Sequence, residues 1–124
     1  GEDGFRELEK RMLHEVGDFE DVVISVGGGT PCFFDNMDYM NQMGETIFLD
    51  ADVKVLFRRL KVAKQQRPLL AEKTDEELMT FIVEALQKRL PFYTKAKHVF
   101  NGEQLEDRHQ IQQSVERLKE LLNL

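Results

Sequence analysis

Three consecutive glycines form the first segment of the chain that could take part in chemistry. Gly27, Gly28 and Gly29 follow a run of β-branched residues. Glycines in a row expose backbone N–H groups without side-chain obstruction, and such a set can hold an anion or a hydroxyl group. A flexible turn between a strand and a helix explains the same residues. The glycines alone leave both interpretations open.

An arginine and a glutamate near the start of the chain form a second candidate. Arg6 and Glu9 are three residues apart, so their side chains meet if the segment is helical. An exposed ion pair of this kind contributes little to stability. Alternatively, Glu9 holds Arg6 rigid and directs its planar guanidinium at a carboxylate ligand, which arginine suits better than lysine. The spacing alone favours the simple surface pair.

Two later arginines precede prolines, Arg67 by one residue and Arg89 by two. Arg67 precedes Pro68 in a polar segment, and a mobile loop with one arginine could close over phosphates and stabilise the charge that develops during phosphoryl transfer. A solvated basic loop is the simpler interpretation. Arg89 lies in a predicted last helical turn before Pro91, where its charge would complement the helix dipole without a further role.

These residues must be positioned by helices that alternate with strands. The apolar periodicity predicts helices at residues 1–17, 35–43, 52–64, 74–90 and 107–122, and strands at residues 21–26, 46–49 and 98–101. Asp52 is a predicted N-cap, and Thr74 with Glu77 matches a capping box. Pro91 should end or kink its helix. Buried strands that alternate with helices indicate an α/β fold with a parallel sheet. Three strands make a thin sheet, so we expect part of it to be absent from the chain.

The composition restricts the class of protein. The chain has 124 residues, of which 41% are hydrophobic and 32% charged, and its formal net charge is −6. This length predicts a single domain over residues 1–124. The acidic balance argues against a nucleic-acid partner, and no apolar stretch is long enough for a membrane span. Cys32 cannot form an internal disulfide and, with three scattered histidines, gives no zinc site. We therefore expect a cytoplasmic globular protein.

The order of the motifs resembles the shikimate kinase family over essentially the whole chain. The motifs are an opening Gly-Glu-x-x-Phe-Arg-x-x-Glu, then Gly-Gly-Gly, Arg-Arg, Arg-Pro-Leu-Leu and Lys-Arg-x-Pro-x-Tyr. The resemblance implies a three-layer, parallel-sheet P-loop kinase fold of the nucleoside monophosphate kinase type. It also implies transfer of the γ-phosphate of ATP, with Mg²⁺, to the 3-hydroxyl of shikimate in aromatic amino-acid biosynthesis.

The resemblance also implies roles for residues that bind shikimate. Arg6 would grip the shikimate carboxylate, Glu9 would brace Arg6, and Phe5 would form a wall of the pocket. The backbone of Gly27, Gly28 and Gly29 would meet shikimate hydroxyls.

On the same resemblance, three later arginines take part in carboxylate and nucleotide binding. Arg89 would be the second arginine on the shikimate carboxylate. Arg67 would be the catalytic arginine of a lid at residues 65–75 and would reach the transferring phosphate of ATP. Arg59 would lie near the adenine.

One family motif has no match in the chain. The family begins with a strand, a Gly-x-x-x-x-Gly-Lys-Ser/Thr phosphate loop, a helix and a strand that ends in Asp-x-Asp, and none of these is present. We therefore expect a domain that is incomplete at its N-terminus and lacks its first two strands and its Mg²⁺ ligands. These 124 residues alone should be inactive, and the complete protein a monomer. The alternative is a non-catalytic kinase-like protein that binds shikimate or a partner.

Overall fold

The computed structural model of the chain describes residues 1–68 and 70–124, with every side chain there except that of Gln65. Its elements in chain order are α1 (Glu2–Val16), α2 (Asn36–Met43), β1 (Ile47–Asp50), α3 (Val53–Ala63), α4 (Asp75–Tyr93), β2 (His98–Asn101) and α5 (Arg108–Leu122). Short 3₁₀ helices lie at Thr30–Cys32 and Lys64–Gln66. Helices form in all five segments where the periodicity predicts them, and strands form in two of the three predicted segments. No helix among the described residues is both long enough and apolar enough to cross a bilayer.

Strands β1 and β2 pair with each other in parallel. The N–H of His98 donates to the carbonyl of Thr46 at 3.0 Å, and that of Gly102 donates to the carbonyl of Asp50 at 2.7 Å. The bonded residues advance in the same direction on both strands, which defines a parallel ladder. The strands predicted at 46–49 and 98–101 are therefore confirmed, the first displaced by one residue.

The prediction of a strand at residues 21–26 is wrong. The segment forms no helix and no strand, and its apolar side chains Val22, Val23 and Ile24 are exposed. β-Branched residues suit a pleated, half-buried surface, but a strand also needs a neighbour to complete its hydrogen-bond ladder. Among the described residues, no strand pairs with this segment.

The described residues divide into two compact units. The first contains residues 1–48 and 91–98, and the second contains residues 49–90 and 99–124. Leu13 of α1 and Met37 of α2 are the buried apolar side chains of the first unit. In the second unit, Leu70, Leu78 and Ile82 form a buried cluster. The apolar side chains packed against that cluster come from α3 and α4: Val53, Leu56, Phe57, Leu60 and Leu86.

The helix caps of the second unit follow the sequence closely. Asp52 accepts a hydrogen bond from the N–H of Lys54 at 2.8 Å and so caps α3. Thr74 and Glu77 form the predicted capping box, with reciprocal bonds of 2.9 and 3.2 Å. Pro91 lies inside α4, which continues to Tyr93, so the helix does not end at the proline. The missing proline N–H removes only one bond there, in the last turn.

Candidate functional site

Arg6 lies on α1, where the carboxylates of Glu2 and Glu9 and two aromatic rings surround its guanidinium. Its Nη1 donates a hydrogen bond to Oε1 of Glu9 at 3.0 Å. Its guanidinium carbon lies 4.0 Å from the ring centroid of Phe33 and 5.2 Å from that of Phe5. The side chains of Arg6 and Glu9 are only 17% and 18% exposed. An arginine enclosed in this way is not a loose surface group, so the geometry favours the braced arginine over the simple surface pair.

Glu9 also connects α1 to the glycine turn. Oγ1 of Thr30 donates to Oε2 of Glu9 at 2.8 Å, while the other carboxylate oxygen of Glu9 is bonded to Arg6. The N–H of Thr30 donates to the carbonyl of Gly27 at 3.1 Å and closes the turn. Both carboxylate oxygens of Glu9 are thus engaged, and the carboxylate plane is fixed.

Gly29 lies directly against the guanidinium of Arg6. A Cβ placed on Gly29 would lie 2.9 Å from both Nη1 and Nη2 of Arg6, closer than real Cβ contacts come. The φ of Gly29 is −85°, which any residue can adopt. The close approach of Arg6, and not the backbone conformation, therefore favours glycine at this position, since an added side chain would have to displace the guanidinium.

The other two glycines of the turn are exposed. The hydroxyl of Tyr93 donates to the carbonyl of Gly28, and the Tyr93 ring packs against Phe48 with centroids 5.1 Å apart. Gly27 and Gly28 thus present backbone to solvent on a turn that Thr30 and Tyr93 hold in place. The first unit brings together a held guanidinium and an exposed glycine backbone. The Nε of that guanidinium makes no hydrogen bond to the described residues and lies 3.6 Å from Oε1 of Glu2, an exposed carboxylate. Such an arrangement can bind an anion that also carries hydroxyl groups.

Phe5 is less enclosed than a pocket wall would be. Its ring contacts the guanidinium of Arg6, but its side chain is more than half exposed. Within the part of the chain that the structure describes, the face of the site that Phe5 was predicted to close is thus open to solvent.

In the second unit, Arg59 is bound to the segment that follows β2. Its Nη2 donates to the carbonyl of Glu103 at 3.0 Å and lies 3.2 Å from Oε1 of Glu106. Nη2 of Arg58 lies 2.7 Å from the same oxygen. The hydrogen bond from Arg58 lowers the pKa of Glu106 below its ordinary value, and Arg59 adds to this effect. The proximity of Arg59 to adenine stays a prediction.

Arg67 is exposed, while the segment that carries it is anchored. Its carbonyl accepts hydrogen bonds from the N–H groups of Leu70 and Ala71. Leu70 is buried in the core cluster of the second unit, and Leu69 of the same motif lies outside the described residues. The core thus holds the middle of the predicted lid through Leu70, and the arginine faces solvent.

Arg89 is partly exposed on α4 and belongs to the second unit. Within residues 1–68 and 70–124, no carboxylate lies within ion-pair distance of Arg89 or Arg67. Their roles, like that of Arg59, stay predictions. The same part of the chain contains no cluster of three or more His, Cys, Asp or Glu side chains that could hold a metal ion.

Comparison with known proteins identifies the family. The family model for shikimate kinase matches residues 1–119 of the chain. The chain belongs to the shikimate kinase family. The shikimate kinase of Phocaeicola vulgatus is 72% identical over 123 residues, which cover 99% of this chain and 70% of that protein. The shikimate kinase of Bacteroides fragilis is 66% identical over 124 residues, which cover 100% of this chain and 69% of that protein.

A solved structure extends the comparison to the fold. The crystal structure of shikimate kinase from Bacteroides thetaiotaomicron matches with a TM-score of 0.96 and 64% identity, covering 100% of this chain and 70% of that chain. The chain therefore has the shikimate kinase fold, a P-loop kinase fold with helices and a parallel sheet. The predicted family and fold class are confirmed.

The sequence did not predict three contacts of the site. Thr30 bonds to Glu9, Phe33 lies against Arg6, and Tyr93 bonds to the carbonyl of Gly28 in the glycine turn. Thr30 is 21 residues from Glu9, and Tyr93 is 65 residues from Gly28. A local spacing rule cannot detect partners so distant in sequence. The need for a donor to the second oxygen of Glu9 arises only once the fold removes the carboxylate from most of its water, so the sequence carried no local signal for Thr30.

Proposed function

We propose that this protein is a shikimate kinase, which transfers the γ-phosphate of ATP to the 3-hydroxyl of shikimate. One observation carries the proposal. Arg6 is enclosed by Glu9, Phe33 and Gly29 beside an exposed glycine backbone. The names of the relatives support the same substrate.

Shikimate recognition rests on its carboxylate and its hydroxyl groups. Arg6 binds the carboxylate, and Glu9 keeps the guanidinium in a fixed plane. Arg89 is the second arginine for the carboxylate. The exposed backbone of Gly27 and Gly28, with the adjoining Gly29, meets the hydroxyls.

Phosphoryl transfer depends mainly on positioning and on compensation of negative charge. Arg67 supplies positive charge to the transferring phosphate from the lid at residues 65–75, and Arg59 contributes to the adenine site. Mg²⁺, where bound, would supply positive charge that offsets the charge of the ATP phosphates. We assign no Mg²⁺ ligand among these 124 residues, because the family's ligands are expected in the phosphate-loop segment, which has no match in this sequence. The protein acts in the cytoplasm as a monomer.

The 124 residues by themselves are inactive in this proposal. They contain no Gly-x-x-x-x-Gly-Lys-Ser/Thr sequence, which supplies the phosphate cradle and the metal-binding hydroxyl in P-loop kinases. Residues 1–124, mixed with ATP, Mg²⁺ and shikimate, should release no ADP above background. Turnover by this polypeptide alone would contradict this part of the proposal.

The activity is tested in the protein as its gene encodes it, including any residues beyond these 124. Shikimate should trigger ADP release, and mass spectrometry should detect a singly phosphorylated product. Arg6→Ala should weaken shikimate binding by roughly 1.5–3 kcal/mol, the usual contribution of a hydrogen bond to a charged group. Arg11→Ala is the matched control, since Arg11 is an exposed arginine on the same helix.

The alternative, a non-catalytic kinase-like protein, predicts a different result. Calorimetry would then show shikimate binding without any shikimate-dependent ADP release. If Arg6→Ala bound shikimate within a factor of two of the unchanged protein, the assignment of the carboxylate site would be wrong.

A further inference from the structure

Thr30 is a buried threonine whose polar groups all have partners. Its side chain and backbone together are only 3% exposed. Its hydroxyl donates to Oε2 of Glu9 at 2.8 Å, and its N–H donates to the carbonyl of Gly27 at 3.1 Å. Its carbonyl accepts from Nδ2 of Asn36 at 3.0 Å. Thr30 thus joins α1, the glycine turn and the start of α2.

The Asn36 contact shows how firmly Thr30 is fixed. Asn36 is fully buried at the first residue of α2, and its amide holds the carbonyl of Thr30. A buried amide that bonds to a backbone carbonyl fixes that carbonyl in one orientation. The hydroxyl of Thr30 therefore approaches Glu9 from a fixed position.

The two carboxylate oxygens of Glu9 bind different partners, and both contacts are needed to hold Arg6 in place. Oε1 accepts from Nη1 of Arg6, and Oε2 accepts from Thr30. Without the hydroxyl, Oε2 would be a largely buried carboxylate oxygen without its donor. Such a group turns towards water or takes another partner, and the carboxylate would no longer set the plane of the guanidinium.

We propose that Thr30 is a positioning residue for substrate binding, which orients Arg6 through Glu9 towards the carboxylate of the substrate. The proposal rests on the proposed function, since it concerns the same site. Thr30 does not touch the substrate in this mechanism. Its hydroxyl acts only through the carboxylate of Glu9.

The hydroxyl is tested with Thr30→Val and Thr30→Ser in the protein as its gene encodes it. Valine keeps the branched shape of threonine without the hydroxyl, and serine keeps the hydroxyl. Loss of a hydrogen bond to a charged group should raise the KM for shikimate about tenfold in Thr30→Val. The kcat and the KM for ATP should change little, and Thr30→Ser should stay close to the unchanged protein. Equal KM values for shikimate in all three proteins would overturn the proposal.

The route through Glu9 is tested with a double-mutant cycle. Glu9→Ala removes the acceptor, so the addition of Thr30→Val should then have almost no further effect on the KM for shikimate. A purely structural role of Thr30 would give the same increase in both backgrounds and would also overturn the proposal. If Thr30→Val fails to fold, Thr30→Ala compared with Thr30→Ser tests the same hydroxyl.

The proposed function fails in a different way. If the unchanged protein does not phosphorylate shikimate, the proposed activity is wrong. If the unchanged protein phosphorylates shikimate, and Thr30→Val and Thr30→Ser have the same KM for shikimate as that protein, only the role of Thr30 is wrong. Melting temperatures of all variants accompany the kinetics and show that the compared proteins are folded.

Discussion

At the scale of single residues, Gly29 lies so close to the guanidinium of Arg6 that a Cβ added there would come within 2.9 Å of it. The absent side chain of Gly29 leaves the space that both terminal nitrogens of Arg6 occupy. A guanidinium is the end of a long, flexible side chain and can move away from an added methyl group. A larger residue at position 29 should therefore disturb binding without disrupting the fold.

Gly29→Ala tests this contact. The added Cβ should displace Arg6 and weaken shikimate binding by roughly tenfold, because a bond to the carboxylate is lost or misaligned. Gly4→Ala is the control on the same helix as Arg6, where an added Cβ meets nothing within 4 Å. Calorimetry measures the affinities, and equal affinities in the two variants would show that Arg6 does not depend on this space.

Arg67 should affect turnover rather than shikimate binding. An arginine that stabilises charge developing in the transition state contributes to kcat and not to the affinity of the ground state. Arg67→Ala should lower kcat by at least about tenfold and leave the KM for shikimate nearly unchanged. Gln66→Ala changes an exposed neighbour in the same segment and is the control. Unaltered turnover in Arg67→Ala would remove this residue from the mechanism.

At the scale of elements, the capping box at the start of α4 links helix stability to pH. The backbone hydrogen bond from Thr74 is the largest cause that lowers the pKa of Glu77 from its ordinary value of 4.5. The folded state therefore favours the ionised carboxylate. The resulting stability is fully present above pH 4.5 and is lost as the pH falls through the lower pKa of the folded state.

Glu77→Gln should reveal this dependence. At neutral pH the variant should unfold at a lower urea concentration than the unchanged protein. The difference should shrink as the pH falls below 4.5 and through the lowered pKa of the folded state, because the carboxylate then becomes protonated. Glu76→Gln removes a charge from the same helical turn but not the bond to Thr74, and its effect should be smaller. A difference between Glu77→Gln and the unchanged protein that stays constant with pH would contradict the assignment.

Local rules predicted the elements whose signals lie within a few residues. The cap at Asp52 and the capping box at Thr74 need partners two or three residues away, and both were found in the predicted places. Local rules could not decide whether residues 21–26 form a strand, because a strand needs a neighbouring strand from elsewhere in the chain. The pairing of Arg6 with Glu9 followed from helical spacing. The bond from Thr30 to Glu9 did not, since it joins residues on different elements.

At the scale of the whole molecule, the irregular apolar segment at residues 21–26 is a candidate for self-association. Val23 is fully exposed, and Val22 and Ile24 are about half exposed. The segment makes no ladder with the described residues. Unpaired backbone with β-branched side chains tends to pair with the same segment of another molecule.

Residues 1–124 produced alone should therefore form larger species as the concentration rises. Val23→Lys should reduce this association, because each pairing would bring two like charges together. Val62→Lys is the control, since Val62 is an equally apolar and highly exposed residue on helix α3. Sedimentation velocity measures the species. If both variants associate as the unchanged chain does, the segment at residues 21–26 is not responsible.

The stack of Arg6 on Phe33 has a consequence for the thermodynamics of binding. A free arginine side chain loses rotational entropy when it closes on an anion, roughly 0.5–1.5 kcal/mol for an immobilised side chain. The guanidinium of Arg6 lies 4.0 Å from the Phe33 ring and is bonded to Glu9 before any ligand arrives. This entropy is therefore lost when the chain folds. Replacement of Phe33 by a small residue should thus make the entropy of anion binding less favourable, even where the hydrogen bonds to the anion, and hence much of the enthalpy, are retained.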